Sequence, residues 1–348
     1  MKTSPPTGGP AAKNPAPLNK ARPGIDKLPL PLLLVPALVL AALPFIADWP
    51  SWITLTVAGL AMGMMIFIMA SGLTLVFGLM DVLNFGHGAF ISVGAFVASS
   101  VVLALAPWMS QANLGLNLAG LGLAILAAMA VTAALGYVFE RLLIRPVYGQ
   151  HLKQILVTMG GLIIAEQLLK ALWGPDQIAL PRPETFQGAL VMGQVAVEKY
   201  RVVAVAVGLI IFALLQLVLT RTRLGLLIRA GVENREIVEA MGYRIRRLFI
   251  AVFVAGSALA GLGGVMWALY EETVTAEMGM RVMVLIFIVI IIGGLGSVGG
   301  CFLGALLVGL VANYIGFLLP KVALFSNILL MVLILLWRPQ GLYAVAKR

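Results

Sequence analysis

Residues 75–90 have the sequence LVFGLMDVLNFGHGAF, in which polar side chains interrupt one of the most apolar parts of the chain. The polar residues recur at intervals of three: Asp81, Asn84 and His87. Gly86 and Gly88 lie among them, and glycine permits either close helix packing or a break in a helix. We therefore expect a broken or re-entrant helix near residues 80–90.

The composition places this stretch in a membrane protein. Of the 348 residues, 61% are hydrophobic and only 11% are charged, whereas a soluble domain carries about 25% charged residues. The apolar runs are continuous and do not alternate with polar residues as the strands of a membrane barrel do. The sequence therefore predicts an all-α, polytopic membrane protein.

We predict about ten transmembrane helices, since a span requires about 20 mainly apolar residues. Their predicted bounds are 28–47, 52–79, 85–106, 118–139, 154–173, 202–220, 248–270, 282–298, 301–319 and 322–337. A transmembrane domain then covers residues 28–340. The proline-rich segment 1–27 before it is expected to be a disordered cytoplasmic tail, and residues 341–348 form a short cytoplasmic tail after it.

The basic residues predict the orientation of the chain. An even number of spans places both termini on one side, where the segments carry 18 Lys and Arg residues, against 5 on the other side. Because cytoplasmic loops carry the excess of positive charge, both termini are expected in the cytoplasm. The net charge of +10 is divided among short clusters between spans, so we expect no nucleic-acid partner.

The sequence offers no catalytic, nucleotide-binding or metal-binding motif. It lacks the P-loop pattern GxxxxGK followed by Ser or Thr, and no loop is large enough for a nucleotide-binding domain. His87 has no second ligand pair nearby, and no nucleophile motif is recognisable. The single cysteine, Cys301, excludes an internal disulfide. We expect no enzyme activity, no cofactor and no metal in this chain.

Polar residues within the spans are candidates for a pathway, because a charged group facing lipid is costly. The candidates are Asp81, Asn84, Gly86, His87, Gly88 and Glu166. Structural roles remain open alternatives: Asp81 caps a helix, His87 forms an interhelical hydrogen bond, and Glu166 pairs with Lys170 four residues on.

The loop at 221–247 contains the signature of a short amphipathic helix over about 234–242. Its elements are an Asn234 cap, an apolar face, the acidic residue Glu239 and a Gly242 suited to a left-handed C-terminal position. The apolar face comprises Ile237, Val238 and Met241. Two interpretations stand: a connector that rests on lipid headgroups, or a peg that docks on a cytosolic partner.

Several motifs, in the same order, resemble one family. They are SGLTLVFGLMDVLNFGHGAFISVGAFVAS at 71–99, FERLLIRPVYG at 139–149, TMGGLIIAEQLLKALWG at 158–174, VEAMG at 238–242 and IIGGLGSVGGCFLGALLVG at 291–309. Together they resemble the permeases of bacterial ATP-binding-cassette importers for branched-chain amino acids, in particular the shorter of the two permease subunits. Met241 replaces an alanine of the family's Glu-Ala-Ala loop.

The resemblance implies a function and a set of partners. It implies a permease subunit in the bacterial inner membrane that moves a branched-chain amino acid, or a related small amino acid or amide. The implied partners are a second homologous permease subunit, two ATP-binding cassette subunits, an external substrate-binding protein and membrane lipid. It also makes the helix at 234–242 the ATPase-coupling helix. An ion-coupled secondary transporter of small polar solutes remains the alternative.

Overall fold

The computed structural model describes residues 30–46, 48–233 and 235–343. The tail predicted at 1–27 lies outside these residues, as do residues 344–348. The described α-helices are α1 (Leu30–Ile46), α2 (Trp49–Met80), α3 (His87–Ala104), α4 (Ala106–Met109), α5 (Leu114–Phe139), α6 (His151–Trp173), α7 (Lys199–Arg221), α8 (Arg223–Glu233), α9 (Arg235–Ala240), α10 (Ile245–Glu271), α11 (Met278–Gly293), α12 (Val298–Leu318) and α13 (Ala323–Trp337). Four short strands pair as two antiparallel sheets, β1 (Ile178–Ala179) with β4 (Thr273–Val274) and β2 (Ala189–Met192) with β3 (Val195–Glu198).

The predicted all-α, polytopic fold is confirmed. Among the described residues, seven helical segments are long and apolar enough to cross a membrane, namely α2, α3, α5 with its continuation to Val147, α6, α7, α10 and α12. Three shorter apolar helices, of 10–17 residues, occupy Pro31–Ile46, Met278–Gly293 and Phe325–Trp337. Each of the ten predicted spans therefore coincides with an apolar helix, but these three fall short of a full span.

Helix α2 lies at the centre of the bundle and runs for 32 residues. Asp48 starts it, because its carboxylate accepts a hydrogen bond from the Ser51 N–H at 3.1 Å. The middle of the helix, from Met64 to Leu73, is buried by packing against α7, α10 and α12. An apolar helix without a polar face suits this position, since neighbouring helices surround it.

Glycines let α2 approach its neighbours at backbone contact. A Cβ added at Gly63 would lie 2.8 Å from the Ala305 carbonyl oxygen of α12. A Cβ added at Gly72 would lie 3.1 Å from the Cα of Gly256 in α10. Small residues at these crossings therefore set the spacing of three central helices.

The eighth predicted span, 282–298, ends too late. Helix α11 stops at Gly293 because Gly294 and Gly296 adopt φ angles of +97° and +84°, which glycine tolerates and a helix does not. The chain beyond α13 returns to this turn, where the Leu342 N–H donates to the Ile292 carbonyl at 2.8 Å. Residues 341–343, predicted as the start of a tail, thus pack against the end of α11.

Arg182 fastens the loop between α6 and α7 to the end of α10. Its side chain is 12% exposed, and its guanidinium donates to the carbonyls of Leu269 and Tyr270, each at 2.8 Å. It also pairs with Glu198 at 3.0 Å and Glu272 at 3.2 Å. These contacts hold the hairpin of β2 and β3 in place relative to α10.

Candidate functional site

Residues 75–90 contain a break between two helices, as expected. Helix α2 ends at Met80, and Asp81 adopts a left-handed conformation with φ +53° while its N–H donates to the Phe77 carbonyl at 2.8 Å. Residues 81–84 have no regular secondary structure, and α3 starts at His87. A carboxylate residue tolerates the left-handed position better than a bulky apolar residue does.

The segment between the two helices turns back along α2. The Nε2 atom of His87 donates a hydrogen bond to the carbonyl oxygen of Met69 at 2.9 Å. Met69 lies eleven residues before the last residue of α2, which corresponds to roughly 16 Å of helix at 1.5 Å per residue. Helix α3 therefore begins in the interior of the bundle, so that residues 81–86 form a re-entrant segment.

Helix α11 packs against the start of α3. Gly279 faces Gly88 so closely that a Cβ at Gly279 would lie 2.7 Å from the Gly88 carbonyl carbon and closer still to its oxygen. The Ser92 hydroxyl accepts a hydrogen bond from the Gly279 N–H at 2.9 Å and donates one to the Ala276 carbonyl at 3.0 Å. These contacts fix both the position and the rotation of the re-entrant helix.

His87 and Asn84 are both buried, each 1% exposed. The hydrogen bond from His87 to Met69 joins α3 to α2. It is the interhelical bond that the structural interpretation of His87 predicted. Asn84 differs, since its Oδ1 has no hydrogen-bond partner among the described residues. A buried acceptor without a partner is costly unless water or a ligand reaches it, so Asn84 offers the site a free polar atom.

The backbone at the start of α3 is less available to an anion than a helix N-terminus usually is. The N–H groups of His87, Gly88 and Ala89 donate to carbonyls three residues earlier, at 3.3, 3.4 and 3.0 Å. A free helix N-terminus would leave these groups for a carboxylate. The tight turn occupies them, so side chains must provide most of the recognition.

Glu166 lies in an ion-pair chain. Lys170 contacts Glu166 at 2.9 Å and Glu277 at 2.5 Å, which links α6 to the residue preceding α11. The bond from Lys170 is the main reason that the pKa of the Glu277 carboxyl lies below its ordinary value. The structure brings Asp81, Asn84, Gly86, His87 and Gly88 together on one segment, and it places Glu166 in this separate cluster.

Sequence reasoning did not identify three further buried polar residues, of which Thr158 contacts the re-entrant segment. Thr158 of α6 accepts a hydrogen bond from the Phe85 N–H at 3.1 Å. Gln154, one turn earlier on α6, and Glu140, in a π-helical turn over 140–144, are 1% and 3% exposed. Oε1 of Gln154 and Oε2 of Glu140 have no hydrogen-bond partner among the described residues. The i, i+4 spacing of Gln154 and Thr158 was the available signal.

Gly86 and Gly88 let neighbouring side chains pack closely against the segment. A Cβ at Gly86 would lie 2.5 Å from the ring of Phe139 and 3.1 Å from Asn84 Oδ1. One at Gly88 would lie 2.9 Å from Met283 Cγ. Phe139 itself packs edge-on against Phe90, with ring centroids 5.4 Å apart. A wall of aromatic rings therefore closes one side of the segment.

The short helix predicted over 234–242 appears as α9, which ends at Ala240 and is followed by Gly242 at φ +83°. Val238 and Met241 do not share the expected apolar face: Val238 is 2% exposed, whereas Met241 is 68% exposed, because the chain leaves the helix after Ala240. Glu239 is exposed. Asn234 and the side chain of Ile237 lie outside the described part of the chain.

Within residues 30–46, 48–233 and 235–343, no group of three or more His, Cys, Asp or Glu side chains is arranged to hold a metal ion. The polar atoms of the site are amide, hydroxyl, imidazole and carboxylate groups. Such a set suits hydrogen bonding to a small polar solute.

Comparison with known proteins gives a consistent result. Residues 55–337 match the family described as "Branched-chain amino acid transport system / permease component". The chain is 28% identical to the high-affinity branched-chain amino acid transport system permease protein BraD of Pseudomonas aeruginosa, over 82% of this chain and 94% of the relative. It is 25% identical to the permease protein LivH of Escherichia coli K12, over 82% of this chain and 92% of LivH. It is also 27% identical to LivM of the same organism, over 91% of this chain and 75% of LivM. No solved structure matches the chain.

Proposed function

Since the chain belongs to the family of permease components of branched-chain amino acid transport systems, we propose that it forms the membrane path of an ATP-binding-cassette importer. The observation that carries this proposal is the family match over residues 55–337, which includes the re-entrant segment and all the full-length spans except the start of α2. The proposed cargo is a branched-chain amino acid or a related small amino acid or amide. The family match gives no support to the ion-coupled secondary transporter.

The proposed partners follow from the same match. The chain resembles both LivH and LivM of one organism, which supports pairing with a second homologous permease. Two ATP-binding cassette subunits would supply the energy, and an external binding protein would deliver the substrate. The location is the bacterial inner membrane, with both termini in the cytoplasm, as the excess of basic residues on one side favours.

The proposed coupling element is α9 with the turn that follows it. Val238 is buried and fixes the helix to the membrane part, while Glu239 and Met241 are exposed to a partner. The Gly242 N–H donates to the Glu239 carbonyl at 2.9 Å, which closes the helix end. A rigid, exposed helix end of this kind transmits a push from an ATPase to α10, which begins three residues later.

The proposed translocation path passes the re-entrant segment at Asn84. His87 holds the segment to α2, Gly86 and Gly88 let Phe139 and Met283 pack closely against it, and Asn84 Oδ1 is an acceptor available to the solute. Asp81 and Glu166 have structural positions at a helix end and in an ion pair, so we place them outside the path. Low affinity suits a permease that receives its substrate from a binding protein.

The test is leucine uptake in cells that lack this chain but retain its partners. Wild-type chain restores uptake, and Asn84→Leu reduces it about tenfold, the effect of one buried hydrogen bond of about 1.4 kcal/mol. Asn84→Gln serves as the matched control that retains the amide. Copurification of the partner subunits shows that each variant assembles. Equal uptake by Asn84→Leu and wild type would remove Asn84 from the path.

A further inference from the structure

A cavity lies where α5 ends and α10 begins. Its volume is about 750 Å³. Its lining includes four arginines and two residues of the membrane helices: Arg141, Arg244, Arg246, Arg247, Tyr137 and Ile250. Nothing in the proposed transport path uses them.

The cavity is strongly electropositive. Four guanidinium groups line it, and Glu239 is the carboxylate that lines it with them. Among the described residues, no carboxylate lies within ion-pair distance of Arg244, Arg246 or Arg247. Glu239 in the lining and the buried Glu140, which interacts electrostatically with Arg246 and Arg141, offset part of this positive charge. The remaining surplus of cations favours an anionic ligand.

A neighbouring side chain already orders Arg141. Arg141 Nη1 donates to the Tyr137 hydroxyl at 2.7 Å, and the guanidinium carbon lies 5.9 Å from the centre of the same ring. Because the side chain is already positioned, binding an anion costs little further ordering. Guanidinium groups match the geometry of phosphate oxygens better than ammonium groups do.

The cavity lies where charged surface meets apolar surface. Tyr137 is 41% exposed, and the nearby Val138 of α5 and Leu142 of the following π-helical turn are 47% and 65% exposed. Ile250 lies five residues inside α10. A ligand with a phosphate in the cavity would therefore place an apolar portion along α5, which is the arrangement of a phospholipid at the membrane surface.

We propose that this cavity binds the phosphate group of an anionic phospholipid of the inner leaflet. The proposal rests on the proposed orientation, which places α9 and the start of α10 at the cytoplasmic surface. It favours a lipid over an acidic protein surface because membrane-helix residues, and not only loop residues, form the cavity wall. A basic pocket between transmembrane helices is a known type of lipid-headgroup site.

The experiment titrates the purified full-length chain in detergent with phosphatidylglycerol and, separately, with phosphatidylcholine, and counts bound lipid by native mass spectrometry. Phosphatidylglycerol binds more tightly. Arg246→Gln/Arg247→Gln weakens that binding about 25-fold, since each basic residue near a headgroup contributes about fivefold. The control Arg221→Gln/Arg223→Gln removes the same charge outside the cavity and leaves the affinity within about twofold.

Three outcomes overturn the proposal. Equal binding of the two lipids, or equal loss in both double variants, shows that the cavity does not select an anionic lipid. Displacement of the lipid by inorganic phosphate alone assigns the cavity to a soluble anion. If Arg246→Gln/Arg247→Gln does not fold, Arg244→Gln replaces it, with an expected loss of about fivefold. The measurement needs neither transport nor ATPase partners, so its failure is distinct from failure of the importer proposal.

Discussion

Gly279→Ala tests whether the packing of the start of α3 against α11 matters for function. The added methyl group would lie 2.7 Å from both the Gly88 carbonyl carbon and Ser92 Oγ, where ordinary contacts between such atoms exceed 3.4 Å. Since both nearest groups belong to α3, the start of α3 must move away from α11. Gly279 has no left-handed conformation, so the effect is steric.

The expected cost follows from the contacts. Overpacking a tight interface costs about 1–3 kcal/mol, and stretching the bond from the Gly279 N–H to Ser92 adds about 0.5–1.5 kcal/mol. The higher helix propensity of alanine offsets about 1 kcal/mol of this cost in folding free energy. The net loss is about 2 kcal/mol, which corresponds to roughly a 30-fold larger unfolded fraction.

Cys301 provides the assay. It is the only cysteine of the chain and is fully buried, so a thiol-reactive fluorophore labels it only when the bundle opens. Gly279→Ala should label about 30-fold faster and should lose most leucine uptake. The control is Gly122→Ala, since a Cβ at Gly122 in α5 meets nothing within 4 Å. Equal labelling and uptake in the two variants would refute the claim that the contact between Gly279 and Gly88 positions α3.

Three other changes give distinct results. Arg182→Met should expose the loop between α6 and α7 to chymotrypsin, which cleaves after Phe186, about 100-fold faster, because two charge-assisted hydrogen bonds of about 1.5 kcal/mol each are lost; Arg281→Met, at an exposed residue, is the control, and equal cleavage would contradict the role of Arg182. With the native cysteine replaced by serine, Gly188→Cys should react with an impermeant thiol reagent on intact cells and Glu239→Cys should not, and the reverse pattern would invert the orientation. Gly242→Val should strain the positive φ angle and reduce stimulation of the ATPase partners, whereas unchanged stimulation would remove α9 as the coupling element.

The break in the chain was predictable because its cause is local. Polar residues and glycines within an apolar run signal a break without knowledge of any neighbour, and the structure has it at residues 81–86. The same holds for Gly242, whose φ of +83° follows from its place after a short helix. Features with such local causes can be predicted from a single sequence.

The contacts that position the site were not predictable, because they join distant parts of the chain. Nothing in the sequence pairs Gly88 with Gly279 or Gly72 with Gly256, since many other glycines have similar surroundings. The burial of Gln154 depends likewise on tertiary packing. Met241 was assigned to an apolar face by helical periodicity, and it is exposed because the helix ends before it.

ATP-driven uptake into proteoliposomes tests the importer proposal most directly. The vesicles contain this chain with its permease partner and ATP-binding subunits, and receive radiolabelled leucine with the external binding protein. The account predicts accumulation only with ATP on the cytoplasmic side of the complex and with the binding protein present, and little accumulation with Asn84→Leu. Accumulation driven by a proton or sodium gradient in the absence of ATP would contradict it and would identify a secondary transporter instead.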